Sequence, residues 1–260
     1  MSSGSNAARR WWLQPSKASR TLRPREVLTA CSGTRVWSLS KMENAFLKSL
    51  GGASGYLPYY PIGEAEVYLR TIRHARRPEA GLFVICGGGN SQNTMALEDF
   101  LRRLRDNHIP TGSRIAITGH AEGARIRAAH LGKKVEFLGH LPDKEFQTLL
   151  ARAHFVLIPQ ICGFGCMTRV PDMHCAGIPV IASSIVANGT GELPGATYIK
   201  DTPEAWPSAL SDAMTKPPII FPDAEFVRWL QAQRRAVQQE FSRVEPHRPL
   251  EGSAKNPLAF

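Results

Sequence analysis

The chain has 260 residues, 43% of them hydrophobic and 21% charged, the balance of a globular protein with one large domain or two small ones. No apolar run approaches the roughly 18–20 residues of a membrane-spanning helix, no collagen-like glycine period is present, and no repeat of about 20–50 residues recurs, so helical membrane, fibrous and solenoid classes drop out. The 32 Lys+Arg against 22 Asp+Glu give a formal charge of +10, which attracts phosphates, nucleic acid or anionic lipid, or simply solvates a basic surface.

Residues 1–25 hold Arg9, Arg10, Lys17, Arg20, Arg23 and Arg25 with no acid and no periodicity, and are expected to form a disordered basic lead-in that can touch a membrane surface peripherally. No zinc-type spacing, RNA-binding aromatic signature or base-reading cationic helix accompanies the charge, which argues against nucleic acid as partner. The lead-in lacks the apolar core and cleavage site of a secretory signal. The five cysteines, Cys31, Cys86, Cys162, Cys166 and Cys175, are odd in number and mostly lie in apolar or motif-bearing segments, so a cytoplasmic setting is expected rather than a disulfide framework. Cys162 and Cys166 read C-x-x-x-C with no second pair, a poor zinc site.

The spacing then predicts a strand over Arg35–Leu39, a helix over Lys41–Leu50, a turn over Gly51–Gly55 and an extended piece over Tyr56–Pro61. The cluster Arg70, Arg73, Arg76 and Arg77 is expected to be an exposed face. Leu82–Cys86 is a continuously apolar strand ended by Gly87-Gly88-Gly89, followed by a helix over 94–107. Strands at 114–119, 135–138, 155–159 and 179–182 follow, with a possible short one at 197–199, separated by helices at 122–131, 143–151 (Asp143 suited to capping it) and 203–214; a long helix over 223–241 and a polar tail over 245–260 close the chain. Continuously apolar strands alternating with amphipathic helices imply an α/β fold, a doubly wound, Rossmann-like parallel sheet that binds ligands at the carboxyl ends of its strands.

The densest chemistry lies between Ile158 and Ser183, where a strand ends, Gly163-Phe164-Gly165 turns, a helix begins, and Gly177-Ile178-Pro179 leads into the next strand. Glycines there let the backbone approach a phosphate, and a helix start adds amides and partial positive charge. Thr168 and Arg169 are placed to add a hydroxyl and a guanidinium, and Asp172 to accept bonds from ribose or sugar hydroxyls. A tight turn with a surface arginine is the plainer reading of the same residues. Gly87 and Gly88 are candidates for close backbone approach, and Gly119 and Leu141 complete the donor-binding candidate set. His140 either lines a base pocket through its backbone or is a simple turn residue; Glu192 reads first as a turn residue. His174 beside an apolar strand reads as a core or surface residue, since no third group completes a nucleophilic site.

From about Glu26 to Val244 the order of segments resembles the nucleotide-sugar-binding C-terminal half of retaining GT-B glycosyltransferases, the large family that includes sucrose and mannosyl transferases. The resemblance is carried by Val135-Glu136-Phe137-Leu138-Gly139-His140-Leu141-Pro142, by Ala153 to Pro159, and by Gly163-Phe164-Gly165 leading through Asp172 to Ala176-Gly177-Ile178-Pro179-Val180-Ile181-Ala182-Ser183. Upstream, Val36 to Lys41 resembles the last strand and serine turn of the family's N-terminal domain, Tyr56 to Pro61 its crossover, and 223–241 its returning helix. The family's paired glutamates correspond to Cys162 and Asp172, its first phosphate loop to Gly87-Gly88-Gly89-Asn90-Ser91-Gln92-Asn93 without Arg or Lys, and a phosphate-binding lysine of some branches to Arg169.

The resemblance implies a basic lead-in (1–25), a remnant of the N-terminal domain with the crossover (26–61), a donor-binding domain (62–222), a return helix (223–244) and a flexible tail (245–260). It also implies hexosyl transfer from a nucleotide-sugar with retention and without a metal or other cofactor, the phosphate cradle stabilising the departing nucleoside diphosphate. Most of the acceptor-binding domain has no counterpart, so the chain carries the donor half, either truncated or completed by a partner chain. A catalytically inactive nucleotide-sugar-binding or scaffolding protein remains the alternative, because Cys162 is no substitute for a carboxylate.

Overall fold

The computed structural model describes residues 35–87, 91–105, 108–119, 121–161, 165–200, 202 and 204–242. The lead-in and tail expected at 1–25 and 245–260 lie outside them. β1 (Val36–Ser38) and β2 (Ser54–Tyr56) pair in parallel across α1 (Lys41–Ser49). Ser40, fully buried, caps α1 by accepting the Glu43 amide on its Oγ at 3.4 Å. The turn and extended piece expected around Gly55 are thus partly a strand. Ser54-Gly55-Tyr56 has no strand signal of its own, and β1 imposes the conformation through Val36 N–H to Ala53 O at 2.9 Å and Leu57 N–H to Ser38 O at 3.0 Å.

α2 (Glu64–Ala75) leads into the main sheet, whose strands are β3 (Leu82–Cys86), β4 (Arg114–Thr118), β5 (Val135–Gly139), β6 (Phe155–Ile158), β7 (Val180–Ser183) and β8 (Ala196–Ile199). Every neighbouring pair is parallel, in the order β5-β4-β3-β6-β7-β8. The helices are α3 (Ser91–Arg103), α4 (Glu122–Arg127), α5 (Asp143–Arg152), α6 (Arg169–Cys175), α7 (Ala187–Thr190), α8 (Ala205–Thr215) and α9 (Asp223–Ser242). Alternate residues of a strand face opposite sides, and the core divides accordingly. Leu82, Val84, Val156 and Val180 pack with Leu69 and Ile72 of α2, Met173 of α6 and Phe226 of α9. Phe83, Ile85, Ile115 and Ile181 pack with Leu97 and Phe100 of α3 and Leu210 of α8. Phe100 meets Trp206 edge to face at 4.9 Å, joining α3 to α8.

Several boundaries differ from the sequence reading. α3 begins at Ser91 and ends at Arg103. The helix expected over 122–131 stops at Arg127, and a 3-10 segment over Ala129–Lys134 replaces its end, interrupted at Gly132 with φ 55°. Asp143 does not cap α5; it is the first helical residue, and Pro142 holds the cap position without a side-chain bond.

The larger correction concerns the arginines expected on an exposed face. Arg73 is 4% exposed and Arg76 is 0% exposed. Neither is chiefly an ion pair. Arg76 donates to Leu150 O, Ala151 O and Ala153 O at 3.0, 3.3 and 2.7 Å, satisfying carbonyls at the end of α5. Arg73 donates from Nε to Cys175 O at 2.8 Å and from Nη2 to His174 O at 2.7 Å at the end of α6, and from Nη1 to Phe221 O at 2.6 Å before α9. The last carbonyls of a helix lack amide partners and carry partial negative charge, so a planar fork of donors stabilises them.

Candidate functional site

The strand order reverses between β3 and β6, which opens a crevice at their carboxyl ends. Gln160, just past β6, ties its two sides together. Its backbone N–H donates to Ser183 Oγ at the end of β7 at 2.9 Å, and its side-chain amide donates to Asn93 Oδ1 on the first turn of α3 at 3.2 Å. Gln160 and Asn93 are 67 residues apart, and only the crossing of the chain brings them together.

The candidate glycines play different parts. Gly87 donates its N–H to Thr118 O at 2.8 Å, and a side chain there would run into that same carbonyl. Gly119 has φ +85°, and a Cβ on it would lie 2.7 Å from Gly87 O. Both are therefore accounted for by the tight approach of the β3 and β4 ends to each other. Gly88, Gly163, Phe164 and the neighbouring Cys162 lie outside the described residues. Gly165 has φ +85°, and its carbonyl would be 2.5 Å from a Cβ on Gly189. The same Cβ would be 3.7 Å from Ser40 Oγ, so the end of the glycine loop, α7 and the start of α1 converge at one point. Leu141 is half-buried and His140 is exposed.

Thr168, Arg169 and Asp172 lie on α6, which Arg73 anchors from its far end. Thr168 is half-buried at the cap position, and its hydroxyl makes no capping bond. Arg169, half-buried, makes no hydrogen bond or ion pair to a described residue, and its charge acts on two groups in the crevice, the Cys86 thiol and the Asp172 carboxyl. Asp172 is 5% exposed and accepts a hydrogen bond from the Tyr59 hydroxyl on Oδ1 at 3.0 Å. Burial pushes its carboxyl up to about 7, while the Tyr59 bond and the Arg169 charge pull the other way. One carboxylate oxygen is thus engaged by the crossover segment, and its second makes no hydrogen bond to a described residue. Tyr59 escaped the sequence reading because it is 113 residues from its partner.

His174 is 2% exposed, ringed by Phe221, Phe226 and Trp229 at centroid distances of 6.0, 6.1 and 5.0 Å. Burial and the adjacent Arg73 charge lower its imidazole to about 4, so it is a neutral core residue. Among the described residues no group of three or more His, Cys, Asp or Glu is placed to hold a metal, and no helix is long and apolar enough to cross a membrane.

A parallel sheet wound on both faces, with Arg169 making no ion pair to a described residue beside its switch point, defines the class of protein by its fold: a Rossmann-like α/β domain of GT-B type. Residues 81–216 match the family model described as glycosyl transferases group 1, and the chain belongs to that family. Solved structures agree in fold. Sucrose-phosphate synthase from Thermosynechococcus elongatus superposes with a TM-score of 0.53 at 18% identity, covering 86% of this chain and 59% of that one. HepE from Anabaena in complex with UDP gives 0.54 at 16% identity, covering 89% and 69%. The lipopolysaccharide outer core galactosyltransferase WaaB gives 0.54 at 16% identity, covering 78% and 61%. For two of these three, the chain spans less than two thirds of the solved protein's length. No curated protein sequence matches.

Proposed function

We propose that this chain binds the nucleotide-sugar donor of a glycosyl transfer reaction, with the diphosphate against Arg169. The observation that carries the reading is the Arg169 guanidinium, without a hydrogen-bond or ion-pair partner among the described residues, at the switch-point crevice on the helix that carries Asp172. In transfer with retention the bond from the sugar's anomeric carbon to the diphosphate oxygen breaks and negative charge grows on the departing nucleoside diphosphate. A fixed cation there stabilises that charge more in the transition state than in the ground state. Asp172 receives a ribose or sugar hydroxyl on the oxygen that Tyr59 leaves open. The acceptor approaches from the side of β1, α1 and β2, and a partner chain can complete that side.

A second reading, donor binding without turnover, is favoured by one specific observation: the candidate carboxylate Asp172 is buried and shared with Tyr59, and burial raises its affinity for a proton. Calorimetric titration with UDP, UDP-glucose and other nucleoside diphosphates tests both. Arg169→Ala removes a charge-assisted hydrogen bond worth about 1.5–3 kcal/mol and should weaken binding roughly 10- to 100-fold. Unchanged affinity would overturn the phosphate role. Binding without release of sugar from any acceptor mixture selects the second reading.

A further inference from the structure

A cleft of roughly 520 Å³ separates α1 from α9, floored by β2 and the segment after α7. From α1 it is lined by Lys41, Asn44 and Lys48, which recur at helical spacing on one face. α9 contributes Trp229, Gln233 and Gln239. The cleft is thus walled by amides, the Tyr56 and Trp229 rings, cations and the Glu192 and Glu240 carboxylates. Of its charged groups, Arg35 bonds Glu240 at 2.6 Å, leaving Lys41 and Lys48 against Glu192. Neither lysine has an ion-pair partner among the described residues. Both are exposed, so holding an anion costs them little desolvation.

The cleft has two distinguishable ends. Lys41 lies against Gly191 and over the Tyr56 ring at 5.9 Å, next to the point where Gly165, Gly189 and Ser40 converge. Lys48 lies about 10 Å away along the helix axis, seven residues at about 1.5 Å each. The C-terminal end of α1 also meets the start of the β1–β2 sheet, through Gly52 N–H to Leu47 O at 3.0 Å and Val36 N–H to Ala53 O at 2.9 Å, which puts Lys48 and Arg35 at the same end. One end therefore adjoins the glycine loop, and the other carries the Lys48 ammonium beside the Arg35–Glu240 pair.

We propose that this cleft binds a small hydroxylated molecule carrying a phosphate, a sugar phosphate in class, with its phosphate at Lys48 and its hydroxyls among Asn44, Gln233 and Gln239, directed toward the glycine loop. Calling that molecule the acceptor rests on the transferase reading above; the binding itself does not. Glucose 6-phosphate, glucose, inorganic phosphate and UDP are titrated calorimetrically into the full chain and into Lys48→Gln and Lys41→Gln. Glucose 6-phosphate is expected to bind at least tenfold tighter than glucose or phosphate, and Lys48→Gln to cut that affinity about tenfold. Glucose 6-phosphate binding no better than phosphate or glucose, or binding indifferent to both substitutions, overturns the proposal. The two readings fail separately. Lys48-dependent sugar phosphate binding without UDP binding keeps the cleft and removes the donor site, and UDP binding sensitive to Arg169→Ala without sugar phosphate binding does the reverse. Both variants alter exposed side chains, and an unchanged melting temperature verifies that each is folded.

Discussion

Replacing Arg73 with methionine removes four donated bonds while keeping most of the aliphatic stem. Two of the acceptors, Cys175 O and Phe221 O, have no other donor among the described backbone bonds, whereas His174 O also receives the Gly177 amide at 3.1 Å. The fourth partner, Asp223 at 3.2 Å, is mostly solvent-exposed and contributes little. The buried Cys175 carbonyl left without a donor costs about 1–3 kcal/mol and the part-buried Phe221 carbonyl somewhat less, so the two sum to about 2–5 kcal/mol, lessened by no longer having to bury the charge. At about 2–4 °C per kcal/mol for a domain of this size, Arg73→Met should lower the melting temperature by roughly 5–15 °C. Because α6 carries Arg169 and Asp172, UDP affinity should fall with it. Urea and thermal unfolding followed by circular dichroism decide the matter, with Arg70→Met as the control, a half-buried arginine that also lies over the Phe226 ring but donates to the Glu66 carboxylate and to no helix-end carbonyl. An Arg73→Met loss no larger than that of Arg70→Met would refute the account of the buried arginines as caps of helix ends.

His174 and Asp172 should give opposing pH dependences. The His174 imidazole, held at about 4 when folded against 6.5 unfolded, adds stability above about 6.5 that is lost as pH falls toward 4. The Asp172 carboxyl, raised to about 7 against 3.8, adds stability below about 3.8 that is lost as pH rises through 7. Each is worth a few kcal/mol at about 1.4 kcal/mol per unit, so the native chain should be nearly flat over pH 4–7 while Asp172→Asn rises and His174→Gln falls with pH; identical urea profiles for all three would contradict this. Gly87→Ala should cost about 1–3 kcal/mol by forcing the β3 and β4 ends apart, measured as a lower urea midpoint. Gly189→Ala should displace Gly165 and weaken UDP binding more than it lowers stability, and an unaltered affinity would separate that contact from the donor site.

Much of the doubly wound sheet was legible because its strands are buried on both faces. Continuous apolar runs such as Leu82–Cys86 and Phe155–Ile158 have no solvent side to alternate with, and their amphipathic helices follow from period alone. The glycine loop, Arg169 and Asp172 were legible as candidates, since phosphate chemistry calls for those residue types close together after a strand. What only tertiary structure decided is every feature whose cause is a distant partner. β2 exists because β1 is beside it. Arg73 and Arg76 look like a solvated charge cluster in sequence, yet they are buried because two helices from elsewhere in the chain end against them, and carbonyls rather than carboxylates satisfy them. Asp172 looks like an open hydrogen-bond acceptor until Tyr59 arrives across 113 residues to occupy one oxygen and burial raises its affinity for a proton. Local composition specifies which groups can pair; chain crossings, which carry no local signature, specify which of them do.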